Sequence, residues 1–190
     1  IRNRGTIGGS VAHSDTAAEF PAVLLAIGAT IVARSARGER RIASTDFFRS
    51  HYQNALEHGE ILVSLECPVA DEWTRWGFSE FARRKGDYAI GGAAVSLRLD
   101  EQGRCVSVRA GLIAAGSGPT LAEGLDELVG RVADASAISA AVDKATVSLN
   151  PGATTHGTNE YRRAVVAESL RRALHQAFGL TIAVHERKPV

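Results

Sequence analysis

The sequence predicts an α+β fold, and two features of its patterning support that prediction. Residues 94–99 and 105–113 alternate apolar and polar side chains around a turn at 100–103, which is typical of an antiparallel hairpin with one solvated face. Three helices are predicted after this hairpin, at residues 120–129, 135–144 and 159–178. With a further strand at 77–83, these segments predict a C-terminal domain of a three-stranded antiparallel sheet plus three helices.

The first half of the chain predicts a helix followed by short strands. An apolar run at 22–27 favours a helix, which Gly28 ends in the left-handed conformation that glycine tolerates. Strands are predicted at 29–36, 40–43 and 60–67, because these segments are rich in β-branched residues or alternate in polarity. A capped helical turn is predicted between them at 44–48. Pro68 ends the last strand, and the polar connector at 69–74 indicates a domain boundary.

The last predicted helix carries an unusual charged start, Tyr161-Arg162-Arg163. Its apolar positions are predicted to form one stripe, which consists of Tyr161, Val165, Leu170, Ala173, Leu174 and Phe178. We expect Tyr161 to pack on the sheet and the two arginines to bind carboxylates or a neighbouring subunit. In the helix before it, Asp134 is the expected N-cap.

Composition bounds the possible functions. The 190 residues allow one ordinary domain or two small ones, and the formal net charge of +1 gives no electrostatic reason to expect nucleic-acid binding. No apolar run approaches the roughly 20 residues that a membrane-spanning helix needs, so no membrane span is predicted. Cys67 and Cys105 are the only cysteines, whereas an iron–sulfur centre needs about four thiolates. We expect two buried free thiols in a cytoplasmic protein.

The segment Thr6-Ile7-Gly8-Gly9-Ser10 is the main candidate for a binding site. Two adjacent glycines let the backbone reach positive φ, and successive N–H groups in such a turn form an anion-binding concavity. The hydroxyls of Thr6 and Ser10 add further hydrogen-bonding groups. A phosphate or diphosphate is the expected ligand, and a tight hairpin turn with no ligand is the alternative.

Further segments connect this motif to a known family. The glycine motif is followed by HSDTAAEFPA at residues 13–22, and matching segments occur in the same order at 38–41, 46–48, 59–62, 82–89 and 160–163. With these segments the chain resembles the FAD-binding medium subunit of molybdenum hydroxylases, the carbon monoxide dehydrogenase and xanthine dehydrogenase type. The resemblance covers nearly the whole chain.

The resemblance implies a fold and a division into domains. Residues 1–70 are expected to be the C-terminal part of a vanillyl-alcohol-oxidase-like FAD-binding domain. Residues 71–180 are expected to be the α+β C-terminal domain of the medium subunit, and residues 181–190 a tail. Family members carry a first glycine-rich FAD segment upstream of the motif, so we expect the N-terminal FAD subdomain to be absent from this chain.

The resemblance also implies site residues. Thr6, Ile7, Gly8, Gly9 and Ser10 are expected to contact the diphosphate of FAD. Glu19 is expected to accept hydrogen bonds from ribityl or ribose hydroxyls, although a negative charge at a helix N-terminus is an equal alternative. Leu62 is expected to line the flavin, and ordinary strand packing is the alternative there.

Neither a catalytic side chain nor a metal site is expected. His13 and Asp15 are two residues apart, but no third ligand lies near them in the sequence. The other histidines are scattered and form no recognisable constellation.

The function implied by the resemblance is electron transfer within a heteromeric oxidoreductase. FAD would receive electrons from iron–sulfur clusters on a small partner subunit, which drain a molybdenum–pterin site on a large partner subunit, and would pass them to a small-molecule electron acceptor. Two alternatives stay open: a stand-alone flavin oxidase of related fold, and a flavin-free interaction module.

Overall fold

Two short helices lie at the start of the described chain, which comprises residues 4–155 and 157–180 of a computed structural model. Helix α1 covers Ile7–His13 and helix α2 covers Glu19–Ile27. Gly28 has φ 66°, and its N–H caps the last carbonyls of α2, as predicted. Helix α1 occupies residues that the sequence predicts as a turn and a polar loop.

A three-stranded antiparallel sheet follows, with the strand order β2-β1-β5. Its strands are β1, Thr30–Ser35; β2, Gly38–Ala43; and β5, Ile61–Glu66. Between β2 and β5 lie the helical turn α3, Ser44–Phe47, and two short paired strands, β3 at Phe48–Ser50 and β4 at Gln53–Asn54. Ile31, Ala33 and Ile42 of this sheet share one buried core with Leu24 of α2 and Phe47 of α3.

A second antiparallel sheet has the order β6-β7-β8-β9. Its strands are β6, Thr74–Ala82; β7, Ala89–Leu99; β8, Cys105–Ile113; and β9, Thr120–Leu121. The predicted hairpin is confirmed, since Leu97 of β7 lies opposite Val108 of β8. The predicted count of three strands is too low, because the two-residue strand β9 pairs with Gly111 and Leu112 at the edge of the sheet.

The helix predicted at residues 120–129 is wrong. Its first two residues belong to β9, and only Leu125–Leu128 form a helical turn, of the 3₁₀ type. Gly124 lies between these elements with φ 81°, a left-handed conformation that an α-helix cannot contain. The apolar periodicity therefore reflects a turn whose leucines, Leu125 and Leu128, are buried in the core.

Two α-helices complete the fold, α4 at Ala135–Thr146 and α5 at Asn159–Ala177. As predicted, the Asp134 side chain caps α4 by accepting a hydrogen bond of 2.8 Å from the N–H of Ala137. The stripe predicted for α5 is partly wrong, since its buried residues are Arg162, Val166, Ser169, Leu170, Ala173, Leu174 and Ala177. Tyr161 is 45% exposed, because its neighbour Arg162 takes the position that faces the interior.

Two glycines let helices lie close to the second sheet. A Cβ atom on Gly77 of β6 would overlap the backbone carbonyl of Ala173 in α5. A Cβ atom on Gly111 of β8 would likewise overlap the carbonyl of Ala22 in α2. Because backbone lies on both sides of each contact, only glycine fits at these two positions without a shift of the helix.

Each half of the described chain has its own main core. The larger core lies between the second sheet, α4 and α5, and the smaller one between the first sheet, α2 and α3. Both cysteines are free, but only Cys105 is buried. The prediction of a buried thiol is wrong for Cys67, because this residue lies in the exposed connector after β5. Of the helices in residues 4–155 and 157–180, none is long and apolar enough to cross a membrane.

Candidate functional site

The glycine motif is helical, which overturns the predicted conformation of this segment. Ile7 to Ser10 form the first turn of α1, and neither Gly8 nor Gly9 has a positive φ. The hairpin-turn alternative is wrong for the same reason. The glycines therefore matter for the space that they leave, and not for access to left-handed backbone.

Thr6 starts helix α1 by capping it. Its hydroxyl accepts a hydrogen bond of 3.0 Å from the N–H of Gly9, and its carbonyl accepts one of 3.1 Å from the N–H of Ser10. A Cβ atom on Gly9 would lie 2.8 Å from the Thr6 hydroxyl, so the cap requires glycine at this position. The N–H groups of Ile7 and Gly8 lie in the first turn, where a helix offers them no carbonyl partner.

Leu62 of β5 lies beside this first turn. A Cβ atom on Gly8 would be 3.5 Å from Cδ2 of Leu62, which is an ordinary packing distance. Leu62 also packs against the smaller core, so the structure combines the two roles considered for it: strand packing and contact with the glycine motif. The structure thus brings Thr6, Gly8, Gly9 and Leu62 together.

Glu19 lies on another element, in the exposed first turn of α2. Burial raises the pKa of Glu80 in β6, and the negative charge of Glu19 raises it further. Glu19 therefore lies near enough to Glu80 for their charges to interact, at the N-terminus of a different helix from the one that carries the glycines.

A cluster of strained backbone lies at the other end of α1. Ser14, Tyr52 and Ala114 have φ between 55° and 59°, and they are the non-glycine residues with positive φ in the described part of the chain. Two of these residues donate to the loop after α1: the N–H of Tyr52 donates to the carbonyl of Ser14 at 3.0 Å, and the N–H of Ala114 donates to the carbonyl of Thr16 at 2.6 Å. Such strain concentrates at functional sites and ligand clamps.

Aromatic rings stack on this cluster. The ring of Tyr52 contacts those of His13 and His51 in tilted arrangements, with centroid distances of 4.5 and 3.7 Å. The negative charge of Asp15 and partial burial raise the pKa of Tyr52. His51, which the sequence pattern leaves without a partner, therefore lies close to the loop of His13 and Asp15. Within residues 4–155 and 157–180, no group of three or more His, Cys, Asp or Glu residues is arranged to hold a metal ion.

Arg162 and Arg163 of α5 donate to backbone carbonyls, so the expectation that they bind carboxylates is wrong within the described residues, and the alternative of a neighbouring subunit stays a prediction. Arg162 donates to the carbonyls of Pro151, Gly152 and Ala114 at 2.6, 3.1 and 3.2 Å. Arg163 donates to the carbonyl of Val147 at 3.4 Å. The sequence did contain a signal for Arg162, since it lies four residues before the buried Val166 and hence on the same helix face.

Comparison with known families and proteins follows the same division of the chain. Residues 1–70 match the family described as FAD binding domain in molybdopterin dehydrogenase. Residues 76–177 match the CO dehydrogenase flavoprotein C-terminal domain. A curated relative, the 6-hydroxypseudooxynicotine dehydrogenase complex subunit alpha of Paenarthrobacter nicotinovorans, is 42% identical over 182 residues, which cover 93% of this chain and 62% of the relative.

Solved structures support the same relationship. Quinoline 2-oxidoreductase from Pseudomonas putida 86 matches with a TM-score of 0.86 at 40% identity, covering 94% of this chain and 62% of that one. Carbon monoxide dehydrogenase from Hydrogenophaga pseudoflava matches with a TM-score of 0.90 at 31% identity and the same coverage. The chain thus spans about 62% of the length of these relatives. It belongs to the family of FAD-binding medium subunits of molybdenum hydroxylases.

Proposed function

We propose that this chain is an FAD-binding electron-transfer subunit of a heteromeric molybdenum-containing oxidoreductase. It would receive electrons from iron–sulfur centres of a partner subunit and pass them through FAD to an external acceptor. The observation that carries the proposal is the match of residues 1–70 to an FAD-binding domain, with the glycine motif in the exposed first turn of α1.

The first turn of α1 has the chemistry that a diphosphate requires. The peptide N–H groups of Ile7 and Gly8 have no partner within the helix, and the positive end of the helix dipole favours an anion. Gly8 carries no side chain that would keep a phosphate oxygen away from these N–H groups. When bound, FAD supplies the redox chemistry, while the chain binds and orients the cofactor.

Leu62 and Glu19 would contact other parts of the cofactor. We assign Leu62 to apolar contact with the flavin, because it lies next to Gly8 on the adjacent strand. We assign Glu19 to hydrogen bonds with ribityl or ribose hydroxyls, for which an exposed carboxylate is a suitable acceptor. Ser10 completes the set and would offer its hydroxyl to the diphosphate.

The proposed partners follow from the low number of cysteines in this chain. With only two cysteines it cannot hold an iron–sulfur cluster alone, so the clusters would lie on a small subunit and the molybdenum–pterin cofactor on a large one. Residues 1–70 would serve the cofactor, and residues 71–180 would form a separate structural domain. The cytoplasmic location expected from the free thiols stays a prediction.

A visible spectrum of the purified chain tests the proposal. The chain is expressed with and without its neighbouring subunits, and its FAD content and substrate-driven flavin reduction are measured. Bound flavin that is reduced only in the complex supports the proposal. Reduction by the isolated chain would favour a stand-alone oxidase, and a colourless chain in both preparations would favour an interaction module.

A matched pair of glycine variants tests the position of the diphosphate. In Gly8→Ala and Gly116→Ala, the new methyl group meets a side-chain atom at 3.5 Å, so both proteins should fold normally. We expect Gly8→Ala to raise the dissociation constant for FAD about tenfold, equivalent to about 1.4 kcal/mol of lost binding, because its methyl group covers N–H groups of the first turn. This loss should lower the FAD content of the purified variant. Equal FAD content in the two variants contradicts the assignment.

A further inference from the structure

Arg162 is a buried cation with no acidic partner in the described part of the chain. Its residue is 8% exposed, and no carboxylate in residues 4–155 or 157–180 lies within ion-pair distance of it. Burial lowers the pKa of its guanidinium group, and its Nε atom lacks a hydrogen-bond partner among the described residues. Burying an unpaired charge is unfavourable, so a reason for the presence of arginine must lie in its carbonyl contacts.

Those contacts connect α5 to the end of α1 through a chain of hydrogen bonds. Arg162 Nη2 donates to the carbonyl of Ala114 at 3.2 Å, and the N–H of Ala114 donates to the carbonyl of Thr16 at 2.6 Å. Thr16 lies two residues after Ser14, the C-cap of α1. The positive φ of Ala114 turns its peptide groups so that one faces α5 and the other faces the loop after α1.

Ser14 fastens the same loop from its other side. It is completely buried, and its hydroxyl lies 3.1 Å from the carbonyl oxygens of both Ser50 and Gln53, to which it donates. The N–H of His51 donates to the carbonyl of Ser117 at 2.6 Å, which ties this second loop to the segment that follows β8. Three segments distant in sequence, 14–16, 50–53 and 114–117, thus form one hydrogen-bonded unit.

Strained backbone within this hydrogen-bonded unit indicates that contacts from neighbouring segments hold the unit in place. Ser14, Tyr52 and Ala114 each adopt left-handed backbone, which costs of the order of 1 kcal/mol or more per residue. Strained conformations persist where the surroundings over-determine them. Arg162 provides such a restraint, since it binds the carbonyl of Ala114 from the core side and is itself anchored to Pro151 and Gly152.

We propose that Arg162 is a positioning residue for cofactor binding: through the carbonyl of Ala114 it holds the loop that caps α1, and thereby fixes the helix whose first turn would bind FAD. The proposal rests on the function proposed above. It assigns to the C-terminal half a role in FAD retention that does not require any of its side chains to touch the cofactor.

Arg162→Met separates this role from a general contribution to folding. Methionine fills a similar volume and removes the desolvation cost of a buried unpaired charge, which offsets part of the cost of leaving the carbonyls of Pro151, Gly152 and Ala114 without this donor. The variant should therefore stay folded while the carbonyl of Ala114 loses its donor. Arg163→Met, one residue further along the same helix, is the control, and Arg162→Lys keeps a charge that can reach a carbonyl.

Two measurements on the full chain test the proposal. Backbone hydrogen exchange without FAD should rise in peptides covering 11–17 and 50–54 of Arg162→Met, and stay unchanged at 135–146 in α4. The dissociation constant for FAD should rise about tenfold, an ordinary size for coupling between sites. Arg162→Lys should fall between wild type and Arg162→Met, and Arg163→Met should match wild type in both measurements.

A double variant with Ser14→Ala distinguishes a positioning role from independent damage. If both residues hold the same loop, Arg162→Met/Ser14→Ala should weaken FAD binding less than the product of the two single effects. Multiplying effects, unchanged exchange at 11–17, or faster exchange throughout the chain would each overturn the proposal. If wild type binds no FAD but exchange rises locally in Arg162→Met, the restraint on the loop stands and the proposed function fails.

Discussion

The two sheets of this molecule are stabilised in different ways. Arginine–carboxylate pairs join β2 to β5 and to the residue just before it, as in Arg41–Glu66 at 2.8 Å and Arg40–Glu60 at 2.7 Å. The second sheet is joined to α5 by a larger apolar core and by the close approach at Gly77. We therefore expect low pH to destabilise mainly the first half of the chain, and larger side chains to destabilise mainly the second half.

The strained backbone follows the same division. Ser14 and Tyr52 belong to the half with the smaller core, and Ala114 lies where the second sheet meets it. Strain is tolerated there because hydrogen bonds from several segments converge on these residues. The second half is thus held mainly by its larger apolar core, whereas the geometry of the first half depends more on directional hydrogen bonds, and the first half carries the proposed cofactor site.

The largest effect is expected from Gly77→Ala. Its methyl group would overlap the backbone carbonyl of Ala173, so α5 would have to move away from the sheet along the face that buries Leu170 and Leu174. We expect a loss of about 3 kcal/mol in the free energy of unfolding, the upper range for overpacked cores. Chemical denaturation followed by circular dichroism measures this loss.

Gly116→Ala is the control for Gly77→Ala. Neither glycine has positive φ, but the Cβ atom at residue 116 would meet only the Thr120 hydroxyl at 3.5 Å. Its free energy of unfolding should change by less than about 0.5 kcal/mol. Equal stability of the two variants would show that the helix α5 adjusts freely, and that close packing does not distinguish the second half.

A smaller effect is expected from acid, and it should begin in the first half. The Arg40 side chain, by hydrogen bonding, lowers the pKa of Glu60 from 4.5 to about 2, and the side chain of this glutamate is only 5% exposed. Because the folded state holds its proton less tightly than the unfolded state, this stabilisation is complete above pH 4.5 and disappears as the pH falls towards about 2. Glu60→Gln should therefore be less stable than wild type at pH 6, and the difference should shrink on acidification.

Asp71→Asn provides the matched variant in the second half. The Arg98 guanidinium, again by hydrogen bonding, lowers the pKa of Asp71 to about 2, but this pair is exposed and screened by salt. We expect its pH-dependent contribution to be smaller than that of Glu60 and to vanish in concentrated salt. A pH dependence in Asp71→Asn equal to that in Glu60→Gln would contradict the contrast between the halves.

Regular elements of the fold were predictable where one local pattern decides them. The hairpin β7–β8 follows from alternating polarity, and the end of α2 follows from Gly28. The segment 120–129 was mispredicted, because its leucines have a helical spacing while Gly124 breaks the helix in the folded chain. The conformation of its first two residues is set instead by the long-range pairing of β9 with β8.

The candidate site was predictable in its residues but not in its geometry. The family resemblance identified the glycine motif, yet the motif forms a capped helix because the Thr6 hydroxyl binds the N–H of Gly9. Nothing local to Arg162 indicates that it binds Ala114, since these residues meet only through tertiary packing. Interactions between distant segments are what single-sequence patterns leave out.

The smallest effect on stability, and the sharpest contrast between the halves, is expected from two threonine caps. Thr6 and Thr158 each accept a hydrogen bond from the N–H three residues later, at 3.0 and 3.2 Å. Thr→Val preserves the side-chain shape and removes the acceptor, which costs about 1 kcal/mol at a helix N-cap. Thr158→Val should lower the free energy of unfolding by this amount and weaken FAD binding less than Thr6→Val does, because it can act on the cofactor site only indirectly, through Arg162. Thr6→Val should change stability by no more than that but weaken FAD binding, because it loosens the helical turn that would hold the diphosphate. Denaturation curves and flavin titrations of both variants measure the contrast, and an equal loss of FAD affinity in the two would show that the cap of α1 has no special role in binding.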